Sequence, residues 1–388
     1  MIKIVTEAPR LAQRSSKFHV VRTSLRFRSG IPEYKDASYA TNKKINDVAT
    51  NRSKLIIEKF SKLRDKYDSP RYPIVLCHGF SGFDKLTFFS EPKMMQSATQ
   101  DLNQDVKRTI NNGLIELDYW YGIKDALQKF GCTVMIGKVP PFASIEDRAS
   151  SLNDFINRRF KELRKNYKAA SIYPSGKDES ADNGKGSSEK GKAIKVNLIS
   201  HSMGGLDSRY LISKLKQRDY EVVSLTTIST PHHGSECADF FMDHFKNSTA
   251  MQKLFPSVKE LTTQNLVKFN EEIQNDPSVS YFSYGARFTP KWYNLFNVTW
   301  RIIRRSIELR NKREHTHIST DNDGMVSVES AKWGEYLGTL DQVDHLDLIN
   351  WTNRARLAFD KVVFQENPKF NAIALYSSIA DSLAKKGF

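Results

Sequence analysis

The 388 residues carry 59 Lys and Arg against 44 Asp and Glu, a formal net charge of +15, with 39% hydrophobic and 27% charged side chains. That balance excludes a wholly disordered chain and favours contact with anionic surfaces, while no apolar run nears the roughly 18 residues of a membrane-spanning helix. Three cysteines (Cys77, Cys132 and Cys237) are too few and too scattered for a disulfide framework or a zinc ribbon, and read as reduced, buried thiols of an intracellular protein.

The first 30 residues hold seven basic side chains and one acid, Glu7, among serines and small apolar residues. Residues 1–35 have the composition of a mitochondrial transit peptide, or of a disordered basic tail. Over 41–68 the apolar residues Ile45, Val48, Leu55, Ile56, Phe60, Leu63 and Tyr67 recur at three- and four-residue intervals, so 36–70 is predicted to be a helical extension. The run Pro73 to Cys77 reads as a buried strand entering a turn at His78-Gly79. Further strands are predicted at Thr133–Ile136, Ala193–Ser200, Val222–Ser229 and Val279–Ser283, with helices over Ile145–Tyr167 and Ser208–Gln217. The stretch 174–192, with four glycines and no apolar residue larger than Ala, reads as a solvated insert. Strands alternating with helices predict an α/β fold, mostly parallel, with helices on both faces of a sheet. Residues 71–388 then form one domain.

The stretch from Val196 to Tyr210 runs from an apolar strand through Ser200-His201-Ser202-Met203-Gly204-Gly205 into a helix. This is the context of a nucleophile elbow, with small residues two before and two after Ser202. The usual first glycine is Ser200 here. A nucleophilic serine needs a base, and the base needs an orienting acid, in the order Ser, acid, His. Downstream stand Asn322-Asp323-Gly324 and Asp344-His345-Leu346-Asp347, which supply Asp323 and His345. Asp321 and Asp344 are the rival acids and read as solvated turn residues. His201 touches the nucleophile in sequence, so the elbow would point it away. His232, His233 and His244 precede any plausible acid, and His315 and His317 lie before Asp323 in a basic run. An oxyanion hole is expected from the backbone N–H groups of Met203 and of Phe80, with Gly79 allowing the turn that aims the latter.

Together, His78-Gly79-Phe80, His201-Ser202-Met203-Gly204-Gly205, Asn322-Asp323-Gly324 and His345-Leu346-Asp347 resemble the lipases of the α/β-hydrolase superfamily, and among them the bacterial triacylglycerol lipases. Phrases such as CHGFSGFDK, SHSMGGLDSRYLI, LTTISTPHHGSE and VSYFSYGARFTPKWYN are more similar still to fungal mitochondrial triacylglycerol lipases of the budding-yeast type. The resemblance covers residues 72–388, broken by the insert. It implies an α/β-hydrolase fold and hydrolysis of tri- and diacylglycerol esters by Ser202, Asp323 and His345, with no cofactor. It also implies that Arg148 braces the oxyanion loop. Asp347 matches one ligand of the bacterial calcium site, but Trp351 stands where those enzymes carry a Gln, so no metal is expected.

A lipase acts at a lipid–water interface, and the apolar stretch 238–273 sits where the family's lid lies. Leu86–Met95 is a second apolar candidate beside the oxyanion loop. The Arg301–Arg313 run is basic with interleaved apolar residues, suited to anionic membrane or simply a solvated helix face. A phospholipase or lipid acyltransferase with the same triad, or a non-catalytic lipid-surface module, are the competing readings. No nucleic-acid motif accompanies the positive charge. The expected location is mitochondrial, or otherwise a lipid droplet or another intracellular membrane surface.

Overall fold

A computed structural model of the chain describes residues 54–80, 85–89, 114–167, 193–216, 219–245, 256–292, 294–351 and 370–388. The basic segment 1–35, the insert 174–192 and part of the 238–273 stretch lie outside these residues.

Seven strands form one sheet. They are β1 (Leu55–Ile56), β2 (Ile74–Cys77), β5 (Val134–Ile136), β6 (Ile194–His201), β7 (Tyr220–Ile228), β8 (Ser280–Arg287) and β9 (Glu335–Asp341), in the order β1-β9-β8-β7-β6-β2-β5. Every pairing in it is parallel. Among the described residues two more strands, β3 (Lys85–Phe89) and β4 (Leu114–Asp118), pair antiparallel in a separate sheet. Both faces of a parallel sheet must be covered, which is why β2, IVLC, is buried at every position.

One face packs on α1 (Ile123–Lys129) and α8 (Ala372–Lys385). There Ile74, Leu76, Ile199 and Ile228 meet Ile123, Leu127, Leu375, Tyr376 and Ile379. The other face packs on α2 (Ile145–Tyr167) and α3 (Gly204–Lys214), where Val75, Val196, Leu198 and Leu225 meet Leu152, Ile156, Phe160 and Leu211. Beyond β7 come α4 (Glu236–His244), α5 (Pro256–Glu260) and α6 (Thr263–Glu272), and after β8 comes α7 (Asn297–Glu314). Among the described residues no helix is long and apolar enough to cross a membrane.

The predicted strands and the helix Ile145–Tyr167 are present, and three differences stand out. Residues 54–68 are not helical. Leu55 and Ile56 pair with Thr339 and Leu340 at the sheet edge, and the rest turns. The three- and four-residue spacing instead buries Ile56, Phe60 and Tyr67, so tertiary packing overrides a local helical preference. Residues 41–53 of that expectation lie outside the described ones. β9 was not anticipated, because Gly338 and charged ends interrupt its apolar signal. Leu86–Met95 begins as the strand β3, while 90–95 lie outside the described residues.

Candidate active site

β6 and β2 are neighbours in the sheet, and their carboxyl ends bring the turn at Ser202 against the turn at His78-Gly79. Ser202 follows β6 with φ 56, a left-handed conformation that L residues avoid. Two contacts hold it there. The Ser202 N–H donates to the Ile228 carbonyl at 3.0 Å, and the Thr230 hydroxyl donates to the Ser202 carbonyl at 2.7 Å. The flanking small residues are required by close approach. A Cβ on Gly204 would lie 2.6 Å from the Cys77 carbonyl oxygen, and one on Gly205 would collide with Thr230. Ser200, where the motif has glycine, spends its hydroxyl on the Ser208 hydroxyl at 2.8 Å beneath α3.

Gly79 is also set by proximity. Its φ is not positive, so close approach rather than a left-handed backbone is what calls for glycine here. A Cβ there would sit 2.6 Å from the Ser202 Cβ.

His345 Nε2 lies 3.0 Å from Ser202 Oγ, and His345 Nδ1 lies 2.7 Å from Asp323 Oδ2. Asp323 is fully buried. Its Oδ1 accepts the Met325 and Val326 amides at 2.9 and 2.8 Å, and its carbonyl accepts the His345 N–H at 3.0 Å. With Nδ1–H donated to the carboxylate, Nε2 is left as an acceptor for the serine hydroxyl. The Gly324 turn, φ 93, presses on Phe296, whose ring stands edge-on to His345 at 6.4 Å. Among the described residues neither the Phe80 nor the Met203 amide has an acceptor, and Met203 immediately precedes the first residue of α3, where the helix dipole favours an anion.

Arg148, on the first turns of α2, is buried completely. Its Nε and Nη2 bind the Asp207 carboxylate at 2.7 to 3.1 Å, while Nη2 also donates to the His78 carbonyl at 2.9 Å and the Gly79 carbonyl at 3.2 Å. Nη1 donates to the Pro140 carbonyl at 2.9 Å. One guanidinium therefore ties α3 to the 78–79 turn. Burial pushes the Asp207 carboxyl up to about 6, against the pull of Arg148.

Sequence reasoning did not find Asp207, Thr230 or Tyr119. The Tyr119 hydroxyl accepts the Gly79 N–H at 3.0 Å and lies 2.7 Å from His201 Nδ1. The His201 ring packs 4.6 Å from that of His345 and makes no hydrogen bond to Ser202 or Asp323 among the described residues. Burial, and then the neighbouring His345, hold His201 well below the usual histidine range, so it is neutral. No motif marks Tyr119; only the fold brings it beneath the turn.

The rival residues fall elsewhere. Asp321 is a half-exposed partner of Arg287 at 2.9 Å. Asp344 is not a solvated turn residue: it is buried, and its Oδ1 accepts the Leu346 and Asp347 amides at 3.1 and 3.0 Å. The Asp347 carboxylate returns the contact by accepting the Asp344 N–H. This mutual capping shapes the loop that carries His345. His232 and His233 belong to a buried cluster around Arg209, whose guanidinium lies 3.5 Å over the Trp333 ring. Within the 238–273 stretch, α6 is tied to the core. Arg209 donates to Asn270 Oδ1 at 2.9 Å and to the Ile273 carbonyl at 3.1 Å, and Asn270 donates to the His232 carbonyl at 2.8 Å.

A family described as PGAP1-like alpha/beta domain matches residues 143–281. Triacylglycerol lipase 2 of Saccharomyces cerevisiae is 40% identical over 356 residues, covering 87% of this chain and 99% of that one. A triacylglycerol lipase of Pseudarthrobacter phenanthrenivorans is 34% identical over 182 residues, 47% of this chain and 40% of that one. Among solved structures, Staphylococcus hyicus lipase aligns with a TM-score of 0.47 at 18% identity, covering 84% of this chain and 98% of that one.

Proposed function

The chain belongs to the triacylglycerol lipase family, and from that membership we propose that it hydrolyses tri- and diacylglycerol esters at a lipid–water interface through Ser202, His345 and Asp323. It is an ester hydrolase of the α/β-hydrolase fold. The observation that carries the assignment of residues is the hydrogen-bonded line from Ser202 Oγ through His345 to Asp323, set beside two amides without acceptors.

The reaction follows from that geometry. His345 Nε2 takes the proton of Ser202 as Oγ attacks the ester carbonyl carbon. The carbonyl π pair moves to oxygen, and the oxyanion forms between the Phe80 and Met203 amides. Asp323 keeps His345 in the reactive tautomer and stabilises the imidazolium. The tetrahedral intermediate collapses, the C–O bond to glycerol breaks, and His345 returns its proton to the departing alkoxide. Water then repeats both steps on the acyl-enzyme and releases fatty acid. Arg148 acts through the turn it braces and touches no reacting atom. The chemistry needs no cofactor.

The test is hydrolysis of emulsified long-chain triacylglycerol by wild type and Ser202→Ala, with folding checked by circular dichroism. The expected result is a loss of about 10⁴-fold or more in the folded variant, and labelling of Ser202 alone by an alkylphosphonate ester. Equal activity in the variant would sink the assignment. Release of a transferred acyl ester instead of free fatty acid would move the reaction to acyl transfer. The basic segment 1–35 supports delivery to mitochondria, which a fusion of those residues to a fluorescent protein would test.

A further inference from the structure

The segment Lys291–Glu314 carries seven basic residues and two acids. It opens with the three most exposed large hydrophobic side chains among the described residues: Trp292 at 85%, Leu295 at 75% and Val298 at 61%. Three such residues within seven positions are a contiguous apolar feature, which a soluble surface does not otherwise favour.

This feature is fastened to the catalytic loops. Between the exposed residues, Asn294 donates to Asp344 Oδ2 at 3.0 Å, one residue before His345. Phe296 is buried against Gly324 and stands edge-on to His345. The Trp300 indole N–H donates to the Phe288 carbonyl at 2.9 Å. Trp292 and Leu295 therefore project from a loop whose inward residues are fixed, next to the reacting histidine.

α7 continues the same surface. Its inner stripe is Phe296, Trp300, Ile303, Ile307 and Arg310, with Ile303 and Ile307 fully buried and Arg310 paired to Glu236 at 2.7 Å. At a 3.6-residue period the opposite stripe is Val298, Arg301, Arg305 and Lys312, all exposed. Glu308 interrupts it and takes Arg304 at 2.9 Å and Arg305 at 3.7 Å. Arg301 has no carboxylate within ion-pair distance among the described residues, and Lys312 reaches Glu308 only as a charge through space. A helix that buries its apolar face in its own protein and shows cations outward, led by an indole and two aliphatic side chains, has the chemistry of an interfacial anchor. The apolar residues enter the acyl boundary while Arg and Lys stay with the headgroups.

We infer that Trp292 and residues 294–312 dock the enzyme on an anionic phospholipid surface, with Trp292, Leu295 and Val298 inserted and Arg301, Arg305 and Lys312 against the headgroups, so that the His345 loop is held at that surface. The inference rests on the lipase reading for its purpose, but the docking itself is independent of turnover.

The experiment is co-sedimentation of the full chain with vesicles of phosphatidylcholine alone or mixed equally with phosphatidylglycerol, alongside hydrolysis of a short-chain ester in true solution. Wild type and Ser202→Ala should bind the anionic vesicles alike, more weakly in high salt, and far more tightly than phosphatidylcholine alone. Trp292→Ser with Leu295→Ser, and separately Arg301→Glu with Arg305→Glu and Lys312→Glu, should each lose about tenfold or more of that binding. Both variants should keep soluble-ester turnover and thermal midpoint, since the altered side chains are exposed. Vesicle binding unchanged in both variants, equal binding to neutral and anionic vesicles, or retention on a nucleic-acid column without vesicle binding would each overturn the inference. Absent soluble-ester turnover with vesicle binding intact would instead count against the catalytic reading and leave the docking surface standing.

Discussion

Ser202 is held at φ 56 by its neighbours, and that conformation costs of the order of 1–2 kcal/mol, supplied by the surrounding hydrogen bonds. The space around it leaves no room for change. Gly79→Ala would put a methyl group 2.6 Å from the Ser202 Cβ, so hydrolysis should fall by about 10²-fold or more. A modest fall in thermal midpoint should accompany it, measured by calorimetry beside initial rates. Tyr119→Phe removes the acceptor of the Gly79 N–H and the donor to His201. A buried amide left without a partner costs about 1–3 kcal/mol, so stability should drop by that order in urea titration. The effect on rate should appear in kcat, because the altered turn carries the oxyanion donor Phe80.

The same logic separates structure from function at Arg148. Arg148→Ala strands a buried carboxylate and should cost about 3–5 kcal/mol. Pairing Arg148→Met with Asp207→Leu should recover much of that stability without recovering activity, because the His78 and Gly79 carbonyls still lack their donor. Recovery of activity in the double variant would show that the ion pair alone matters. At this scale the sequence was most legible where chemistry fixes residue type: Ser202, Asp323 and His345 announce themselves by small neighbours and by chain order. Tyr119 and Thr230 do not, since any sequence holds many hydroxyls and only the closed fold selects these.

At the scale of elements, legibility followed burial. β2 is apolar at every position, and β6 and β7 are buried along most of their length with Val, Leu and Ile among small polar residues, so their runs stand out against polar turns. β1 has only Leu55 and Ile56, and its identity as a strand depends on β9, far along the chain, so its spacing could pass for a helix. What holds this segment is α8. Asp381 accepts Arg64 at 2.8 Å, the Asp68 N–H at 2.9 Å and Lys385 at 2.8 Å. Burial pushes its carboxyl up, but these donors, Arg64 foremost, outweigh it and hold the group at about 2. Because that lies below the ordinary 3.8, the stabilisation is fully present above about pH 5 and is lost as pH falls through 3.8 toward 2. Asp381→Asn should therefore cost about 1–2 kcal/mol at pH 7, with allowance for the exposed Arg64, and the gap from wild type should narrow between pH 5 and pH 3. Urea midpoints at those pH values would check it, and a gap that stays constant would count against the ionic contact.

Across the whole molecule, the parallel pairing of β1 with β9 sets a timetable. Leu55 leaves the ribosome early, yet its partner Thr339 emerges only when most of the chain has been made. Until then β8 offers an open edge, a template for wrong partners, and residues 54–68 have no strand or helix to grip. A chain ended before Glu335 should collect in the insoluble fraction, whereas the full chain should not. Residues 54–68 are thus secured late although made early, which gives any machinery that handles them most of translation in which to act.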